Sequence, residues 1–206
     1  MSAGKSIVLS AVLLSAFAPC LGADCEPSRR PTKTPHGPIA EYYCEASPQS
    51  KPSHYVALDG VKVLQDSFLA RDDVHPSRSI WIFTGGGSIE TGCATRLYLL
   101  DTSMEPVKVF AFGVKKACNE FHWASWGEKR SVIALKHNVK FVYENGKLTP
   151  PASGEGLWKA IEPPHAGTGL AKEDAVGFVE EVPLPNRLRK YPTGAASLLT
   201  QGLVFR

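Results

Sequence analysis

The stretch CNEFHWASWGEK, residues 118–129, gathers a cysteine, two glutamates, a histidine and two tryptophans. Side chains on a strand alternate between faces. The spacing therefore sets Phe121 and Trp123 on one face and Glu120, His122 and Ala124 on the other. A glutamate orienting a histidine is the general-base half of a catalytic triad. The nucleophile is missing, because the nearest candidate, Cys118, offers no thiolate once it is oxidised. The pattern reads first as two aromatics packed inward beneath a solvated Glu120–His122 pair. Trp126 follows in SWGEKR, a turn. A tryptophan there either folds back onto a core or stands out as an anchor for a partner, and core burial is the commoner fate.

Two further segments carry chemistry-bearing residues. ARDDVHPSR, residues 70–78, reads as a loop between strands, where Asp72, Asp73 and His75 are candidate ligands for a hard or borderline metal. Arg71 and Arg78 offer those carboxylates local partners, which favours a solvated turn, and no metal is assigned. FTGGGSIETGC, residues 83–93, has glycines that suit an anion cradle. It lacks the Lys-Ser/Thr pair of a phosphate loop and the GxGxxG of a dinucleotide site. It reads as a bulge or flexible hairpin loop around Gly86 that is available for binding. No GxSxG elbow, HExxH or DxDxDG loop appears, and no cofactor is implied.

The chain that must position these residues opens with Lys5, an apolar run from Ile7 to Pro19, and small residues to Ala23. This reads as a secretory signal peptide over residues 1–23, too short to span a bilayer. Pro19 before Cys20 argues against lipidation. Removing the leader with Lys5 leaves 183 residues with 22 basic against 20 acidic side chains, a balance that implies neither nucleic acid nor an acidic membrane surface. No asparagine lies in an N-x-Ser/Thr sequon, which leans toward a bacterial periplasm. In an oxidising compartment the remaining Cys25, Cys44, Cys93 and Cys118 are expected to pair. The sequential connectivity, Cys25–Cys44 and Cys93–Cys118, staples the two segments that otherwise look poorly anchored. No CxxC or CxxH pair supports zinc instead.

Composition divides the rest into three regions. Residues 24–53 are dense in proline, serine and charge and read as an extended N-terminal arm. Residues 54–150 hold short valine-, isoleucine- and aromatic-rich runs: SIWIF, TRLYLL, VKVFAF, EFHWA and SVIAL. Hairpin turns are expected at Asp59-Gly60 and Asn145-Gly146. Ile80 and Ile82 alternate with Trp81 and Phe83, and Val109 and Ala111 with Phe110 and Phe112. Strands that are apolar on both faces need a layer on each side. Residues 151–206 form a C-terminal segment in which Ala171, Ala175, Phe178 and Val179 predict an amphipathic helix, with a last helix or strand over 193–205. The predicted fold is mainly β, an antiparallel meander or sandwich-like sheet with a short α-containing C-terminal segment packed on it.

These features point to an exported, disulfide-braced, non-catalytic module that binds another protein, of the periplasmic inhibitor or immunity-protein kind, with an enzyme or toxin as partner. Trp126, Gly86, Glu120 and His122 are its candidate contact residues. No integral membrane association is implied. The competing readings are an envelope hydrolase using Glu120/His122 or the Asp72/Asp73/His75 loop, and a structural envelope-assembly factor.

Overall fold

The structure is a computed structural model and describes residues 25–46, 51–87, 93–153, 157, 176–186 and 188. The expected signal peptide, residues 170–175 of the predicted helix and the closing run over 193–205 lie outside the described residues. Among the described residues are fourteen strands and a single 3-10 turn, Lys136–Asn138.

Strands β1 (Cys25–Pro27), β2 (Thr32–Thr34), β3 (Gly37–Cys44), β4 (Ser53–Leu58) and β5 (Val61–Asp66) make a first antiparallel sheet. The second sheet holds β6 (Leu69–Val74), β7 (Ile80–Gly85), β8 (Arg96–Asp101), β9 (Lys108–Val114) and β14 (Gly177–Glu181). The third is the meander β10 (Phe121–Ser125), β11 (Arg130–Leu135), β12 (Val139–Glu144) and β13 (Lys147–Thr149). The turns are made where the sequence places them: Asp59 and Gly60, then Asn145 and Gly146, all carry the positive φ that a two-residue hairpin loop requires.

The second sheet is the middle layer. Ile80, Ile82, Leu97, Leu99, Phe110 and Phe112 face the third sheet and pack against Ile133, Leu135, Phe141 and Tyr143. Their alternates Trp81, Phe83, Tyr98, Leu100, Val109 and Ala111 pack against Ile39, Val56, Leu58 and Leu64 of the first. This is why β7, β8 and β9 are apolar on both faces. Phe112 and Phe141, both fully buried, meet edge-to-face at 4.9 Å. Each such buried aromatic stabilises the fold by about 1.5–3 kcal/mol relative to exposure. Buried Asp101 on β8 accepts the Tyr143 hydroxyl from β12 and the Ser103 N–H and hydroxyl, which joins the second and third sheets through a satisfied polar group. Burial, and then this bond to Asp101, pushes the Tyr143 hydroxyl well above its ordinary range, so it stays a donor.

Cys25 is joined to Cys44, its register partner across β1 and β3, and Cys93 to Cys118. The two bridges mark an oxidising, extracytoplasmic environment. Among the described residues no helix is long and apolar enough to cross a membrane.

Three expectations are corrected. The helix predicted across 170–182 is, in its described part, strand β14, which pairs with β9 from Gly177↔Val114 to Glu181↔Phe110. An open β9 edge would leave backbone donors and acceptors unpaired, and pairing them outweighs a weak helical period broken by Gly177. Residues 24–53, read as an extended arm, supply β1 to β3. The eight residues of β3 pair along the whole of β4, with Ile39, Ala40 and Cys44 buried. Residues 70–74, read as loop, belong to β6, and a β-bulge between Arg71 and Asp73 disguises the strand by interrupting its alternation.

Candidate binding face on the third sheet

The strand that carries the CNEFHWASWGEK cluster is set in place by its first two residues. Cys118 is bridged to Cys93, and the Asn119 N–H donates to Ala94 O at 2.8 Å. The Asn119 side chain is fully buried. It accepts the Val114 N–H at 2.6 Å and donates to the carbonyls of Thr95, Val114 and Ala117 at 2.8, 3.0 and 3.1 Å. A Cβ on Gly113 would come within 2.7 Å of this carboxamide, so the glycine is what lets Asn119 seat. Nothing in the residue's type marked it as a keystone, because a buried asparagine and a turn asparagine look alike in sequence.

Next, the strict alternation expected of Phe121 to Ala124 fails. Phe121 pairs with Leu135, Trp123 pairs with Ala134, and His122 is the extra residue of a β-bulge. The bulge reverses one side chain. Phe121 and Ala124 pack against the core between the second and third sheets, whereas Trp123 shares its row with Ala134 and Lys140 on the outer face. Phe121 and Trp123 therefore do not share a face, contrary to the two-residue period. The Lys140 ammonium sits 5.9 Å from the centre of the Trp123 ring, a cation–π arrangement. The Ala134 beneath is fully buried. His122 is exposed and, with Trp123, Lys136 and Asn138, lines a shallow depression of about 390 Å³. Glu120 is exposed and ion-paired with Lys136 across the β10–β11 edge. Its carboxylate is engaged with a lysine rather than placed to orient His122.

The outer face continues in register. Ser125, Val132, Val142 and Thr149 form a second row, with Val132 and Val142 half-buried. Arg130, Glu144 and Lys147, all exposed, form a third. The result is an apolar strip headed by Trp123 and bordered by Lys136 and Lys140 on one side and by Arg130 and Lys147 on the other.

The other candidates gather elsewhere. Trp126 packs against the same core as Phe121, donates its indole N–H to Asp73 Oδ2 at 3.2 Å, and meets the His75 ring edge-on at 5.3 Å. It fastens the third sheet to the edge strand of the second and is not a free anchor. The structure thus brings Trp126, Asp73 and His75 together across 53 residues of sequence, which spacing alone could not show. Asp72 accepts the Thr84 hydroxyl at 2.6 Å. The residue is exposed overall, yet dehydration of its carboxyl against the sheet, aided by the nearby Asp73 charge and opposed by the Thr84 bond, raises it from 3.8 to about 6. Such a carboxyl exchanges protons near pH 6, but its neighbour Thr84 donates to it and gives no activated nucleophile. Among the described residues no group of three or more His, Cys, Asp or Glu is placed to hold a metal.

Gly86 is buried, has φ +70°, and donates its N–H to Phe68 O at 3.2 Å. A Cβ there would collide with the Thr95 hydroxyl. The glycine start of that loop serves close packing, and residues 88–92 lie outside the described residues. Compared with protein-family models, with curated proteins and with solved structures, the chain matches none.

Proposed function

We propose that this is an exported, non-catalytic protein-binding module of the periplasmic inhibitor or immunity-protein kind, and that it meets its partner through the outer face of the third sheet. The observation that carries the reading is the bulge at His122, which turns Trp123 out of the core and lays it on a solvent-facing sheet. A half-buried tryptophan beside a depression and an apolar strip has the make-up of an interface hot spot with a polar rim. The Cys93–Cys118 bridge at the start of β10 and the core shared with the middle sheet brace that face, so less conformational entropy is lost on docking. Glu120 and His122 then belong to the rim of the contact, and Trp126 supports it from behind.

The test is affinity capture from the exported fraction of the source cells with wild type, Trp123→Ala and the double change Glu120→Ala/His122→Ala, each checked for unchanged circular dichroism. Trp123→Ala is expected to lose the captured partner, with a drop of about thirtyfold or more in affinity, while the double variant keeps it. Retention by Trp123→Ala at wild-type affinity refutes the use of this face. A folded double variant that loses all function while Trp123→Ala keeps it would mean that a hydrolase had been misread as a binder.

A further inference from the structure

The outer face of the third sheet has a charge pattern as well as an apolar strip. Lys136, Lys140, Arg130 and Lys147 border it, against Glu120 and Glu144. In the third row Glu144 lies directly across from both Arg130 and Lys147, so that end is compensated within the sheet. At the other end Lys140 projects over the Trp123 ring, and Lys136 is held by Glu120 on a half-exposed pair. Lys136 lines the depression beside Trp123, and the Lys140 ammonium lies over the ring of the tryptophan that heads the strip.

From this juxtaposition we propose that the partner segment seated on Trp123 is acidic, with carboxylates that bind Lys140 and Lys136, and that Glu120 is a built-in competitor occupying Lys136 until the partner arrives. The proposal rests on the reading of this face as the contact surface and names the chemistry of what it contacts. The Lys140 ammonium lies over the indole, so a carboxylate that reaches it comes from a segment seated on the same tryptophan. At Lys136 the incoming carboxylate exchanges one ion pair for another, and the displaced Glu120 returns to water. An exposed exchange of this kind changes affinity modestly and responds to salt. It gives the site preference for acidic over neutral segments, with the apolar strip supplying most of the contact.

The test uses the full oxidised chain and a short fluorescent poly-L-glutamate peptide, read by anisotropy at low and at high salt. Parallel arms use poly-L-lysine and vesicles containing phosphatidylglycerol. Binding of poly-L-glutamate is expected at low salt and is expected to weaken as the Debye length shrinks below about 8 Å. Lys136→Glu/Lys140→Glu should weaken it by about tenfold or more, whereas Glu120→Gln should tighten it by about two- to fivefold, because the competitor for Lys136 is gone. That gain is a readout that a merely structural role for Glu120 does not produce. Equal affinity of the native chain and the lysine double variant overturns the proposal. So does Glu120→Gln without a gain, a preference for poly-L-lysine, or lysine-dependent binding of the vesicles alone. A partner captured through Trp123 but indifferent to both lysines would leave the binding face standing and remove its acidic ligand. Indifference to Trp123 as well would remove both.

Discussion

Replacing Asn119 with alanine should destabilise this protein more than any other single polar truncation on the strand that carries the binding face. The carboxamide is fully buried and makes four hydrogen bonds, one accepted from the Val114 N–H and three donated to backbone carbonyls. Alanine removes the Asn119 Oδ1 acceptor from the Val114 N–H, and a buried N–H left without its partner costs about 1–3 kcal/mol. The three carbonyls lose a donor each and the excised carboxamide leaves a void, which brings the total to about 3 kcal/mol. For a chain of this length that corresponds to a fall in Tm of roughly 6–12 °C. Asn119→Asp keeps the shape and the acceptor but removes the donated bonds and buries a charge, so it should be at least as damaging. Urea unfolding followed by tryptophan fluorescence, with both disulfides intact, measures the loss directly. A change below about 0.5 kcal/mol, the range of ordinary surface sites, would refute the view that Asn119 seats β10.

Phe121→Ala should cost about 2–3 kcal/mol, since Phe121 packs on the core, and Trp123→Ala under about 1 kcal/mol, since Trp123 lies on the outer face; equal losses in chemical denaturation would mean that the bulge is absent and the strict alternation holds. Asp72 holds its proton more tightly folded than unfolded, from an ordinary 3.8 to about 6. Its stabilising contribution is therefore complete below about pH 3.8 and is lost as pH rises through about 6. The urea midpoint of wild type should accordingly fall between pH 4 and 6.5 relative to Asp72→Asn, and parallel pH profiles would show that the carboxyl is ordinarily hydrated. The bridges close loops of 19 and 25 residues, so Cys25→Ser/Cys44→Ser and Cys93→Ser/Cys118→Ser should each cost about 3 kcal/mol. The second pair should also loosen the face around Trp123, detectable as faster amide exchange in β10 and β11, while the first pair leaves those strands protected.

Much of this architecture is legible in the sequence wherever the determinant is local. Hairpins follow from Asp59-Gly60 and Asn145-Gly146, because so few residue pairs tolerate positive φ. The two-sided runs at residues 80–83 and 109–112 announce a middle sheet with a layer on each face, and β7 and β9 have one. The disulfides follow from an even cysteine count in a chain read as exported. Tertiary structure decided the rest, wherever an element exists because of a distant partner. Residues 37–44 of the proline-rich stretch are strand because β3 finds β4, and residues 177–181 are strand because β9 has an edge to close. The binding face depends on the least local feature of all. One extra residue opposite β11 moves Trp123 off the row of Phe121 and Leu135 and onto that of Ala134. A period-two pattern carries no sign of a bulge, because the register of a strand belongs to its pairing and not to the strand alone.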